Sequence, residues 1–158
     1  MTISVGEKLP SLTLKTMGAN GPEEITTDSV FAGKKVVLFA LPGAFTPGCS
    51  ATHMPGFVIH ADQIKAKGVD TIVCLAVNDA FVMGAWGETQ NAEELLLVAD
   101  GSHVFTSAVG MELDLTAGGL GIRSQRYAMI VNDGVVEAIN LDEGTIEKST
   151  AEAILELL

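Results

Sequence analysis

Cysteine is scarce in this chain. Cys49 and Cys74 are the whole complement in 158 residues, which excludes a disulfide framework as the source of stability and points to a reducing compartment. Long apolar runs are missing as well: nothing approaches the ~18 residues of a membrane-spanning helix. The opening segment Met1-Thr2-Ile3-Ser4-Val5-Gly6-Glu7-Lys8 also lacks the apolar core of a secretory signal. The expected location is therefore cytoplasmic, with an organelle transit peptide removed upstream of residue 1 as the alternative. Positive charge is in short supply. Against 20 acidic side chains stand 9 basic ones, a formal net charge of −11, so nucleic acid and anionic membrane surfaces, both polyanions, are poor partners. No repeat, low-complexity tract or Pro/Ser-rich linker divides the chain, and a single domain over residues 1–158 is long enough to bury a proper core.

Two absences bear on chemistry. Pro47-Gly48-Cys49-Ser50 carries one cysteine where a disulfide oxidoreductase would want a Cys-x-x-Cys pair. Ala117-Gly118-Gly119-Leu120-Gly121 lacks the G-x-G-x-x-G phosphate fingerprint and reads as a turn. A metal site is also poorly supported. His53 and His60 are seven residues apart, about 10 Å along a helix, too far for one ion, and His103 is isolated.

What is present alternates between strand and helix patterns. Val36-Val37-Leu38-Phe39-Ala40-Leu41 and Thr71-Ile72-Val73-Cys74-Leu75-Ala76-Val77 are continuous apolar runs suited to strands buried on both faces. Between them, Met54, Phe57, Val58, Ala61 and Ile64 fall at helical spacing in a helix from Pro47 to about Lys65, which Pro55 should kink. A helix over about 80–88, capped by Asn78 or Asp79, precedes a third strand, Leu95 to Ala99, and a short helix near 104–109. Tyr127 to Val131 and Val135 to Ile139 flank the hairpin signal Asn132-Asp133-Gly134. Ser149 or Thr150 caps a final amphipathic helix, Ala151 to Leu158. This order fits an α/β protein of thioredoxin-like fold, a mixed sheet flanked by helices.

The stretch richest in chemistry is Pro42-Gly43-Ala44-Phe45-Thr46-Pro47-Gly48-Cys49. Thr46 can serve as an N-cap and Pro47 as the first helical residue, which puts Cys49 in the first turn of a helix directly after a buried strand. There the helix N-terminus and unpaired backbone N–H groups favour the thiolate over the thiol. The bland alternative is a buried, inert cysteine that only packs. Thr46 could equally present its hydroxyl to the sulfur, and Pro42 could simply end the strand. Arg123 and Arg126, the only two arginines, lead into the strand at Tyr127, and an arginine leading into a core strand of so acidic a chain asks for an anionic partner. Neither charge nor periodicity chooses between them. His53, one turn beyond Cys49, reads better as a satisfied structural histidine than as a source of charge, and Trp86 and Phe45 read as apolar packing.

Pro42-Gly43-Ala44-Phe45-Thr46-Pro47-Gly48-Cys49-Ser50 resembles the active-site signature of the peroxiredoxins, in the form of their type II, peroxiredoxin-five-like branch. The likeness continues through Thr52 to Phe57, Val77 to Val82, Leu97 to Ser102 and Arg123 to Tyr127, nearly the whole chain. It implies a thiol-dependent peroxidase that reduces hydrogen peroxide and organic hydroperoxides through a sulfenic acid at Cys49, with no metal or organic cofactor. It also implies Thr46 as the hydrogen-bonding threonine, Pro42 as a shield for the sulfur, Arg126 as the catalytic arginine, Phe45 beside the site and a homodimer. Some members carry a resolving cysteine near the C-terminus. Thr145 to Thr150 has none, which points to an external thiol, glutathione with glutaredoxin or thioredoxin, as reductant. A redox-sensing adaptor or holdase of the same fold is the alternative function.

Overall fold

The computed structural model describes residues 2–158. The chain opens with a hairpin, β1 (Thr13–Gly18) and β2 (Gly21–Thr26), and a short helix α1 (Thr27–Phe31). Then follow β3 (Lys35–Ala40), a π-helical turn (Cys49–His53), α2 (Met54–Ala66), β4 (Thr71–Ala76), α3 (Ala80–Thr89), β5 (Leu96–Ala99) and α4 (Val104–Ala108). A second hairpin, β6 (Glu112–Leu115) and β7 (Gly121–Ser124), leads into β8 (Arg126–Asn132), β9 (Val135–Asp142) and α5 (Ala151–Leu157).

One seven-stranded sheet carries the fold in the order β2-β1-β5-β4-β3-β8-β9. The pairs β3–β4 and β4–β5 are parallel, while β8 runs antiparallel to both β3 and β9. The continuous apolar runs follow from this placement, because the central strands are covered on both sides. Val37, Phe39 and Leu41 point into a core completed by Phe57 and Ile64 of α2, Trp86 of α3 and Ile154 of α5. Val36, Leu38 and Ala40 enter the opposite core with Phe31, Phe105 and Tyr127. The β8–β9 connection places Asp133 at φ 49° and Gly134 at φ 78°, the paired left-handed residues that a two-residue hairpin needs.

Two features depart from the sequence reading. The hairpins β1–β2 and β6–β7 and helix α1 come from segments without an apolar alternation long enough to announce them, although Ala117 to Gly121 is the turn read from the sequence and closes the second hairpin. The misfit at Pro55 is met by widening the preceding turn: the Met54 N–H bonds the Cys49 carbonyl five residues back, and regular helix resumes with Pro55 in its first turn. Proline is tolerated there because that N–H needs no intrahelical partner. The resulting π-turn begins at Cys49, so the backbone irregularity and the candidate nucleophile coincide.

Candidate active site

β3 ends at Ala40, and Pro42 to Thr46 carry the chain across the edge of the sheet into the Pro47–His53 turn. The Ser50 N–H bonds the Thr46 carbonyl (2.9 Å), so Thr46 occupies the N-cap position through its backbone. Its hydroxyl does not cap; it donates to the Gly43 carbonyl at 2.6 Å. Cys49 then lies within the first turn, only 1 % exposed.

Arg126, the first residue of β8, brings Nη2 to 3.3 Å from Cys49 Sγ. Gly48 lies under both groups: a β-carbon there would stand 3.1 Å from Ile146 Cδ1, a tight contact, and 3.4 Å from Arg126 Nη2, an ordinary one. The other guanidinium nitrogen, Nη1, donates to His53 Nδ1 at 2.8 Å, and His53 Nε2 lies 2.9 Å from the Ser149 carbonyl. An arginine only donates and a carbonyl only accepts, so the ring is neutral with its proton on Nε2. Its surroundings agree. His53 is buried beside the rings of Phe39 and Phe57 at centroid distances of 5.2 and 5.7 Å. Burial lowers its pKa to about 4, against a raising contribution from the Ser149 bond, with Arg126 adding to the depression. His53 is thus no charge donor to the sulfur; it orients the group that is.

Arg123 does something else. Its Nε donates to the Leu120 carbonyl at 2.9 Å and its Nη1 to the Pro42 carbonyl at 3.2 Å, tying β7 to the residue that leaves β3. It makes no ion pair among the described residues. Pro42 itself is half-buried and, with Arg126, Leu113, Thr145 and Ile146, lines a cavity of about 550 Å³ that gives an approach to the guanidinium.

The structure therefore gathers Cys49, Arg126 and His53, sets Pro42 at the mouth, and keeps the Thr46 hydroxyl on Gly43. Cys74 lies fully buried in the middle of β4, level with Phe39 of β3, and burial pushes its thiol pKa well up. Both cysteines are free. Phe45 is a correction: it is 55 % exposed, at φ 64°, and not packed in the core. Trp86 is fully buried but has a polar task as well, its Nε1 donating to Ser50 Oγ at 3.0 Å. Sequence reasoning missed Ser149, whose carbonyl meets His53, and Asp142 at the end of β9, whose carboxylate accepts from Ser149. A carboxylate followed by Thr145 and Ser149 ahead of a helix was the available signal.

Comparison with known proteins decides the family. The redoxin family model matches residues 4–155. Peroxiredoxin-2E, chloroplastic, of Arabidopsis thaliana is 48 % identical over 99 % of this chain and 70 % of its own length. Peroxiredoxin-2D of the same plant is 45 % identical, covering 99 % and 98 %. The chain belongs to the peroxiredoxins. Among solved structures, reduced Prx3 of Vibrio vulnificus in complex with H2O2 superposes with a TM-score of 0.95 at 54 % identity, covering 99 % of both chains. As a type II peroxiredoxin of thioredoxin-like fold, the protein is a thiol-dependent peroxidase of the antioxidant class.

Proposed function

We propose that Cys49 is the peroxidatic nucleophile, that Arg126, Thr46 and Pro42 build its transition-state site, and that residues 1–158 work as one domain. The observation that carries this is the guanidinium of Arg126 held 3.3 Å from a buried sulfur at the head of a helix. The Cys49 thiolate attacks one oxygen of the hydroperoxide in line. The S–O bond forms as the O–O bond breaks, and the electron pair leaves on the distal oxygen, which takes a proton to become an alcohol or water. Cys49 is left as a sulfenic acid. Negative charge passes from sulfur to oxygen along this path, and Arg126 can follow it with a donor on each side. With its own proton committed to Gly43, Thr46 accepts the peroxide O–H and turns the other oxygen to sulfur. Pro42 keeps water from the thiolate.

The substrates on this reading are hydrogen peroxide and small organic hydroperoxides. Recovery is by external thiols: a first thiol condenses with the sulfenic acid to a mixed disulfide and water, and a second releases Cys49. Burial of Cys74 in mid-strand supports an external partner, glutathione with glutaredoxin or thioredoxin, in a reducing compartment such as the cytoplasm. Exposed Phe81 and Val104, which line one cavity, are the apolar patch of a homodimer on this reading. The test is peroxide consumption with each reductant in turn. Turnover that survives Cys49→Ser, or that needs no added thiol, would contradict the proposal.

A further inference from the structure

Asp142 ends β9 directly opposite Arg126, its cross-strand partner, yet the two form no ion pair. The carboxylate is spent elsewhere. Thr145 Oγ1 and the Lys148 N–H donate to Oδ1, both at 3.1 Å. The Glu147 N–H (3.0 Å), the Ser149 N–H (2.8 Å) and Ser149 Oγ (2.7 Å) donate to Oδ2. Burial opposes ionisation of this carboxyl, but the converging donors outweigh it and hold the pKa well below the usual carboxylate range. A loop exposed from Glu143 to Lys148 except at half-buried Ile146, and ending on buried Ser149, is thereby pinned around one buried anion.

That loop reaches the site at two points. The Ser149 carbonyl holds His53 Nε2 and so presents Nδ1 to Arg126. Ile146 lies over Gly48, next to the guanidinium nitrogen that faces the sulfur. We infer that Asp142 is a positioning residue of the peroxidase reaction: by clamping Thr145 to Ser149 it fixes His53, and through His53 it aims Arg126 at Cys49. All five donors are on the Asp142 oxygens and none comes from Arg126, so the guanidinium keeps its contacts for His53 and Cys49.

The inference rests on Arg126 being the working cation, so Arg126→Lys is measured alongside. The readout is the rate of Cys49 oxidation by hydrogen peroxide in single turnover, divided by the rate of Cys49 alkylation by iodoacetamide, in protein shown to be folded by circular dichroism. General loosening would raise alkylation, whereas misaiming Arg126 lowers only the peroxide rate. Asp142→Asn should lower the ratio by roughly tenfold or more, since small displacements of a transition-state donor carry losses of that order. Asp142→Asn combined with His53→Leu should be no worse than His53→Leu alone, because both act on one chain of contacts. His53→Gln, whose amide can accept from Arg126 and donate to Ser149, should keep most of the ratio. If Asp142→Asn does not fold, Thr145→Val with Ser149→Ala removes two of the five donors and should still lower the ratio severalfold. An unchanged ratio in either folded variant, or losses from Asp142 and His53 that multiply, overturns the inference. If Arg126→Lys also leaves the ratio unchanged, the proposed function fails with it; if Arg126→Lys alone lowers it, only the role of Asp142 falls.

Discussion

At Cys49 the buried sulfur takes a side-chain hydrogen bond from Arg126 Nη2 while Nη1 of the same planar group is held on His53, a two-sided contact that a lysine point charge cannot reproduce. Arg126→Lys should slow sulfenate formation on the order of a hundredfold. Arg123→Lys should cost far less, since Arg123 serves two backbone carbonyls and no reacting atom. Single-turnover peroxide kinetics on the two variants checks the order. His53 adds a pH dependence whose sign is fixed by its partners. Arg126 and Asp142 face it across the sheet edge, Cys49 from its own turn, and its folded pKa of about 4 lies below the ordinary 6.5. Between those values the unfolded chain holds a proton that the folded protein refuses, so the contribution of His53 to stability is flat above pH 6.5 and falls by about 3 kcal/mol as the pH drops to 4. Urea denaturation across that window should show the loss, and His53→Gln should remove most of it. Residue-scale legibility was uneven. Cys49 and its Gly-Thr-Pro setting are visible in the string, and the two arginines stand out by rarity. Which arginine meets sulfur is decided by strand register, and no composition reports that.

At the scale of elements, the π-turn is held from outside. Trp86 of α3 donates its indole N–H to Ser50 in that turn, and Ser50→Ala would leave a fully buried donor without a partner. A loss of about 1–3 kcal/mol is expected, measured by denaturant titration followed through the tryptophan's own fluorescence. Cys74 belongs to β4, where the ladders to β3 and β5 fix its backbone. Cys74→Ser should therefore retain peroxide turnover with a glutathione and glutaredoxin couple; loss of turnover in folded protein would make it the resolving thiol. The strands and helices that press on the core were readable because burial on two faces or one leaves a period in the sequence. The β6–β7 hairpin was not, since its alternation covers only the four residues Glu112 to Leu115, and neither was the loop clamped by Asp142, which is held by hydrogen bonds to one carboxylate that leave no period.

For the molecule as a whole, the β3 and β4 core is buried on both faces, and the candidate site sits where the end of β3 meets the start of β8 and the loop after β9. Exposed Phe81 and Val104 are the contact of the proposed homodimer, so Phe81→Asp should shift the sedimenting species toward monomer. The fold class and family were legible from motif order spread along the chain. The support behind the arginine was not, because it joins residues as far apart as His53 and Ser149. The central claim is tested most directly by treating the reduced protein with one equivalent of hydrogen peroxide, trapping with a sulfenate-specific reagent and mapping the adduct by mass spectrometry. The account predicts a sulfenate adduct on Cys49 alone that disappears when glutathione is added before the trap. An adduct on Cys74, an internal Cys49–Cys74 disulfide, or an unmodified Cys49 would contradict it.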